Sequence, residues 1–472
     1  MHTHAHTRVH MHARARLVPR PAPRQQQQRQ RRRRRGPARV PACAAGAGSD
    51  AAAAGDVAQA EAEAEADAEF LEGLLRSALE RRERDGLLAR MAAEKTTAWR
   101  AFNGAGEGVG GMAVDLYGVA DGDAGGERRA LCQCWREPLT VADLAAVRRV
   151  FPGAAYRVRG AAARALRREG AGEGNVPLAE PTPFVERTDG EAYFTELGVT
   201  YLYTDPRPPG NDPPLFLDAR PMRRRVRELC EEAAEAGAPL SVLNTFAYTG
   251  GMGVVAAQAG AQPVLNLDHS KSYLAAARAN AERNGVRMGT ICGDYFLGIS
   301  QLAGKEWKVR GRSRGGGRGG GPKGGRGPKQ YRFGNATRPP RVARAQTFDL
   351  VVLDPPTFTK SKYGVVDIER DYAAVFKPAL LCLNPGGRVI CTNHHGGIDE
   401  DAWHESLRRC AAKAGRPLAS VEAVRPRGDD DVDFVPEADR EPMLKVALVR
   451  LAQEGDGGGE EESSSAPADV TQ

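Results

Sequence analysis

Residues 348–362 read FDLVVLDPPTFTKSK. A run of apolar β-formers ends in Asp354, and Pro355 and Pro356 follow at once. Proline has no amide N–H and a fixed φ, so it cannot extend a ladder, and the chain must turn there. The turn leaves carbonyls and the Asp354 carboxylate as acceptors for an amino group on a flat molecule. Phe358 can stack on a base that has left its helix. The plain alternative is a strand-end turn. Three other strand ends bear on the choice, because ligands of open α/β sheets bind at the carboxyl ends of strands. One ends in NTFAYTGG, with Thr249, Gly250 and Gly251. The next ends at Asp268, where a carboxylate can accept hydrogen bonds from a ribose diol. The third reaches Asp294 in GDYF, placed to meet an adenine edge. Each alone reads as a helix cap or a turn. Together, in this order, they describe a nucleoside pocket. TGG is not GxGxxG and no lysine-bearing phosphate loop is present, which favours S-adenosylmethionine over ATP or NAD.

The elements that must position these residues start near Leu215. The pattern predicts a helix over 222–237, strand–turn–helix over 241–261, a strand over 263–270 and a helix over 272–285 closed by glycine. After Asp354 it predicts a helix over 365–383, a strand over 386–393, a helix over 399–414 and a last strand over 444–451. Alternating strands and helices imply an α/β fold, a doubly wound Rossmann-like sheet, across residues 206–452. A small α/β accessory domain over 93–205 precedes it. There, 101–118 is a glycine-rich turn leading into a strand, 130–135 a second strand and 139–151 a helix. Residues 51–92 are Ala/Glu-rich, expected to begin disordered and to turn helical at Phe70. From there Leu71, Leu74, Leu75, Leu79, Leu87, Leu88 and Met91 form one apolar stripe.

The 472 residues carry a formal charge of +7, and that charge is local. Residues 1–50 hold twelve arginines and one acid, and residues 303–346 hold thirteen Lys or Arg and one acid. Taking those 25 bases and two acids from the 67 and 60 leaves 42 against 58, a net of −16. Electrostatic affinity for nucleic acid must therefore come from patches. The acid-free, Arg-rich start reads as an organelle transit segment of chloroplast or mitochondrion. A nuclear signal or an RNA-binding arm is the alternative for its arginine run. The RGG-rich insertion 303–346 cannot bury apolar surface and is expected to be disordered, as an RNA tether or a tolerated linker. Residues 453–472 form an acidic tail. No stretch reaches the ~18 apolar residues of a membrane span, so no membrane partner is expected. Eight scattered cysteines, only 132 and 134 close together, suit a reducing compartment and give no metal signature.

From Thr97 to Leu451 the chain resembles the class I S-adenosylmethionine-dependent methyltransferases that act on large-subunit ribosomal RNA. LFLDARPMRR, VLNTFAYTGG, NLDHSKSYL, ARANAERNG, CGDYF and LDPPTFTKSK carry the likeness, with AFNGAGEGVGGMAVDLYG in the accessory region. The resemblance implies cofactor contacts at Asp218, Arg220, Asn244, Phe246, Tyr248, Thr249, Gly250, Gly251, Asp268, His269, Asp294 and Tyr295. It implies a base pocket at Asp354, Pro355, Pro356 and Phe358, and an RNA partner. Two departures stand out: no RNA-binding domain of the PUA or THUMP type is legible, and the RGG insertion is foreign to the bacterial pattern.

The family's two branches methylate carbon 5 of a cytosine or nitrogen 7 of a guanosine. Carbon 5 needs a cysteine thiolate to add at carbon 6 first. In the cytosine branch that cysteine lies just past the strand after the catalytic motif. Here the strand is GGRVICTNHHGG, the matching position is His394, and Cys391 lies within the strand. Guanine N7 already carries an in-plane lone pair. TNHH, and DPPTFTKSK with DIERDY, look closer to the guanosine branch, so a ring nitrogen is expected. Lys360, Lys362 and Arg370 are candidate RNA contacts. His394 is a fourth, or an ordinary loop histidine. The rivals are a protein or small-molecule methyltransferase of the same fold and a non-catalytic RNA-binding relative.

Overall fold

The computed structural model describes residues 50–104, 106–121, 124–135, 139–158, 192–203, 212–305, 345–426, 433–435 and 444–453. The expected transit segment, the body of the RGG insertion and the acidic tail lie outside them. The chain divides into two compact units, Met1–Ala62 and Glu63–Gln472. Of the first, only the opening turns of a helix are described. The second holds every described strand.

Helix α1 runs from Asp50 to Arg84, so the Ala/Glu-rich stretch expected to begin disordered is helical. Ala and Glu are both strong helix formers, and that propensity outweighs the shortage of apolar side chains. Gly86, with φ 73°, breaks the run before α2 (Leu87–Ala93). The accessory strands are β1 (Ala98–Asn103), β2 (Met112–Asp121), β3 (Ala124–Cys134), β4 (Ala155–Val158), β5 (Tyr193–Glu196) and β6 (Val199–Leu202). They pair in the order β4-β3-β2-β5-β6, with β1 also on β2. Helix α3 (Val141–Val150) crosses from β3 to β4, its N-terminus held by a Thr140–Asp143 capping box. Leu71, Leu75, Leu87 and Met91 pack with Trp99, Phe102 and Val114, so the N-terminal helices and the accessory sheet share one core.

The second sheet is built from β7 (Val242–Thr245), β8 (Val264–Asp268), β9 (Gly289–Cys292), β10 (Phe348–Leu353), β13 (Leu383–Asn393), β14 (Leu418–Ala423) and β15 (Lys445–Leu451). Their order is β14-β15-β13-β10-β7-β8-β9. Every pairing from β13 to β9 is parallel, and β15 runs antiparallel to both its neighbours. Helices α4 (Arg220–Glu235), α5 (Gly251–Gln258), α6 (Lys271–Arg283), α7 (Tyr295–Leu302), α8 (Ala373–Leu380) and α9 (Glu400–Lys413) connect the strands. The chain enters at β7, lays β8 and β9 to one side, then crosses to β10 on the other. That reversal is the switch point at which such sheets bind ligands.

One predicted helix is wrong in extent. Residues 365–383 contain strand β12 (Val365–Asp367), a turn, and the short α8. Strand β12 pairs antiparallel with β11 (Phe358–Lys360), making a hairpin directly after the two prolines. β-Branched Val365 and Val366 follow Gly364, a composition that favours an extended return strand over a helix.

The two sheets are joined by buried charge. Arg220 at the start of α4 is fully buried; it donates to Glu196 at 3.1 Å, to both oxygens of Asp433 at 2.9 and 3.0 Å, and to the Ala98 carbonyl. Asp433 also accepts the Arg100 amide, and its carbonyl takes an Arg82 N–H at 2.8 Å. Phe434 lies against the guanidinium groups of both Arg100 and Arg220, 5.2 Å from ring centre to each.

Candidate active site

Register aligns the strand ends. Leu353, Thr245, Leu267 and Ile291 stand opposite one another across β10, β7, β8 and β9. The next row outward is therefore Asp354, Phe246, Asp268 and Cys292. With strands spaced about 4.8 Å apart, Asp354 and Asp268 stand about 10 Å apart, with β7 between. The acids noticed in the sequence share one edge because their strands are in step.

Register also explains the Asp354 environment. Leu353 pairs with Cys391, so Asp354 faces Thr392. The Thr392 hydroxyl donates to Asp354 Oδ1 at 2.5 Å, and His394 Nε2 lies 2.9 Å from the same oxygen. Burial pushes the carboxyl up, but the bond and charge of His394 and the Thr392 hydroxyl outweigh it and hold it below its ordinary range. Asp354 is an ionised acceptor. Pro355 is buried and Pro356 exposed. Phe358 is 62% exposed, at the start of β11.

A cleft of about 130 Å³ opens over β8 and β9. Asp268, His269, Asp294, Phe246 and Tyr295 line it on the sheet side, and the β11–β12 hairpin walls the other. Asp268 is nearly buried, and its oxygens accept the Tyr248 and Ser270 amides at 2.9 and 2.8 Å. Those bonds fix the carboxylate, and each oxygen keeps a lone pair for a diol. Asp294 caps α7 through the Leu297 amide at 3.2 Å and also lines the cleft. Phe246 stacks on Tyr295 at 4.6 Å. His269 is exposed at the rim.

The β7–α5 turn is strained where it meets this cleft. Phe246 and Tyr248 both have φ 52°, unusual for residues with a Cβ, and Gly250 has φ 77°. The glycines answer to packing. A Cβ on Gly250 would sit 2.6 Å from that of Ala277, and one on Gly251 would sit 2.8 Å from Leu215.

Other residues singled out from the sequence are engaged elsewhere. Asn244 is buried and donates to Asn266 at 2.8 Å. Tyr248 and Thr249 donate their hydroxyls to the Pro213 and Pro214 carbonyls. Arg220 is spent on Glu196 and Asp433. Asp218 lies half-buried in the 3-10 turn Leu217–Ala219. Lys362 and Arg370 are exposed, while Lys360 lines the cleft. Sequence reasoning missed Thr392, and it missed Lys445, a buried lysine that donates to the His395 carbonyl at 3.1 Å and steadies the loop after β13. Only the parallel register of β10 and β13 marks Thr392 out.

Residues 207–312 match the family model described as S-adenosylmethionine-dependent methyltransferase. The chain carries a methyltransferase domain. Its cofactor is S-adenosylmethionine. The matched residues include the TGG turn, Asp268 and Asp294. The cleft fits that cofactor's nucleoside end: an aromatic wall, a fixed carboxylate for a diol and a second carboxylate beyond it. The chain is 31% identical over 188 residues to ribosomal RNA large subunit methyltransferase K/L of Allochromatium vinosum, covering 39% of this chain and 19% of that protein. It is 26% identical over 352 residues to ribosomal RNA large subunit methyltransferase I of Aeromonas hydrophila, covering 74% and 73%. Among the first relatives matched, the chain spans between a fifth and a half of their length. SMU.776, assigned as a methyltransferase and crystallised with SAH, superposes with a TM-score of 0.53 at 19% identity over 81% of each chain, a likeness of fold.

Proposed function

We propose that this protein methylates a base of large-subunit ribosomal RNA, at a ring nitrogen of guanosine rather than at carbon 5 of cytosine. The observation that carries the choice of atom is the state of the cysteines. Cys391 is fully buried within β13, and burial pushes its thiol up to about 12, against a small opposing pull from the Tyr372 hydroxyl. Six of the seven described cysteines are buried, and the half-exposed Cys292 bonds the His269 carbonyl on the β9 side. Among the described residues, no accessible thiol stands beside Asp354. An imidazole at His394 does not add to a pyrimidine as a thiolate does. A ring nitrogen needs no such addition.

When bound, S-adenosylmethionine supplies an electrophilic methyl on a sulfonium. The chain's own residues orient the acceptor. Asp354, held anionic by Thr392 and His394, takes an N–H of the base and sets the tilt of its ring. The support for RNA is the naming of the relatives and the exposed Phe358, Lys362 and Arg370 in the segment that follows Asp354. We also place the protein in an organelle, on the acid-free N-terminus alone; a fluorescent fusion of residues 1–50 checks that.

The test is to map modified nucleotides in ribosomal RNA from cells with and without the protein. One guanosine should lose its methyl group. A denaturant-stable adduct with 5-fluorocytosine RNA, abolished by Cys391→Ala, would overturn the ring-nitrogen reading.

A further inference from the structure

Helix α6 carries most of the motif ARANAERNG, residues 277–285. Ala277 packs against Gly250 and leaves no room for a Cβ there. Asn280 and Asn284 follow at spacings of three and four, which a helix brings onto the same side. Both asparagines meet β6, the outer strand of the accessory sheet. An edge strand turns alternate amides away from its neighbour, and those amides need acceptors. Here the Thr200 N–H donates to Asn284 Oδ1 at 2.9 Å, and the Leu202 N–H to Asn280 Oδ1 at 2.7 Å. The spacings match, since four helical residues rise about 6 Å and two strand residues about 6.8 Å.

The two asparagines differ in where the other end of the amide goes. Asn284 Nδ2 donates to the Thr200 carbonyl at 2.7 Å, back onto the same strand, and to the Asn280 carbonyl behind it. Asn280 is 1% exposed, and its Nδ2 donates to the Thr249 carbonyl at 2.9 Å. Thr249 follows Tyr248, whose amide holds the Asp268 carboxylate of the cofactor cleft at 2.9 Å. A backbone N–H only donates and a carbonyl only accepts, so the Asn280 amide is fixed in one orientation with both ends engaged. Tyr201, between the two strand amides, brings its hydroxyl within 3.4 Å of the Gly251 carbonyl. Strand β6 therefore reaches the β7–α5 turn twice. A tie between helix and strand needs only what Asn284 does. The second bond of Asn280 goes beyond that, to the turn.

We infer that Asn280 is a positioning residue of the cofactor site. It holds the Thr249 carbonyl, and with it the Tyr248 amide, where that amide fixes Asp268 in the cleft. Through Asn280 the edge of the accessory sheet supports cofactor binding, a role independent of which base is methylated.

Calorimetry of SAH binding to the full chain tests this role, beside denaturant unfolding. Asn280→Ala should weaken SAH about tenfold, the scale of leaving one buried group without its partner. Asn284→Ala, one turn on, breaks the same kind of tie to β6. It should lose stability while SAH affinity stays within about twofold, because none of its bonds reaches the turn. Asn280→Asp keeps an acceptor for the Leu202 amide and sets a second oxygen against the Thr249 carbonyl. It should weaken SAH at least as much as the alanine. Unchanged SAH affinity in Asn280→Ala, or equal weakening in Asn280→Ala and Asn284→Ala, overturns the assignment, since loosening of helix from strand would then account for both. An Asn280→Asp variant that binds SAH like the unaltered protein overturns it too. Hydrogen exchange on the unaltered protein requires no variant to fold. Coupling is reciprocal, so SAH should slow exchange at the Leu202 amide by a larger factor than at the Thr200 amide. Equal factors at the two amides overturn the assignment whether or not the variants fold.

Discussion

Asp354 is a carboxylate kept charged in a place that favours neutrality. Burial raises its pKa, and His394 and Thr392 bring it below the ordinary 3.8. A depressed carboxyl contributes stability that is complete above its unfolded value and is lost as pH falls through the folded one. His394→Ala removes the largest of the opposing influences, so the folded value must rise. The variant should therefore be less stable by a constant amount near neutrality, and the two stability curves should converge as pH falls through the carboxyl range, where protonation of Asp354 removes the contribution. Asp354 keeps about a third of its side chain exposed, so the difference is modest. A gap between the curves that stays constant through the acid range would show that His394 does not hold the carboxylate. Asp268 uses a different device: two backbone amides fix it, with the exposed His269 ring 3.4 Å from one oxygen.

At the scale of elements, the β7–α5 connection carries the site's strain. Phe246, Tyr248 and Gly250 alternate into positive φ within five residues, which turns the Tyr248 amide onto Asp268. Gly250→Ala meets two obstacles. A left-handed alanine costs about 1–2 kcal/mol. The methyl also collides with Ala277 of α6, and overpacking a tight contact costs about 1–3 kcal/mol. Denaturant unfolding should show about 2–5 kcal/mol lost, and SAH affinity should fall with it as the turn shifts away from Asp268. Wild-type stability in this variant would mean α6 yields freely and the turn is not fixed by packing. The hairpin after Asp354 contrasts with this turn: buried Val366 and the close approach of Gly364 to Phe296 anchor its three-residue strands, and Phe358 and Val365 stay exposed.

Within the larger unit the two sheets are tied through Asp433, from the segment between β14 and β15. It is fully buried among Arg220, the Arg100 amide and an Arg82 N–H bound to its carbonyl. Glu196 meanwhile binds Arg220 and Arg223 from the accessory sheet. Removing one partner of a buried ion pair leaves an uncompensated charge, at about 3–5 kcal/mol. Asp433→Ala should lose that much in denaturant unfolding and loosen the accessory sheet from α4, seen as faster hydrogen exchange in β1 and β5. Asp433→Asn, which keeps shape and one acceptor, should lose less. Equal stability of all three proteins would mean the network contributes nothing net.

The sequence alone determined most of the strands and helices over 215–451, though not α7, β14 or the β11–β12 hairpin, because a period-2 run ending in an acid and a 3.6-period run closed by glycine are local signals. It singled out Asp268, Asp294 and Asp354 by the same logic, since a strand's last residue is visible in one dimension. The return strand of the hairpin, Val365–Asp367, reads in the sequence as the start of a helix because three-residue strands are too short for any period to register. The partners of Asp354 were out of reach for another reason. Thr392 lies 38 positions away and meets it only through the parallel register of β10 and β13. Arg220 and Asp433, 213 positions apart, meet through the packing of two sheets. Patterns in a chain report which residues face inward. Which inward-facing residues touch is settled by how strands align, and only the folded molecule holds that alignment.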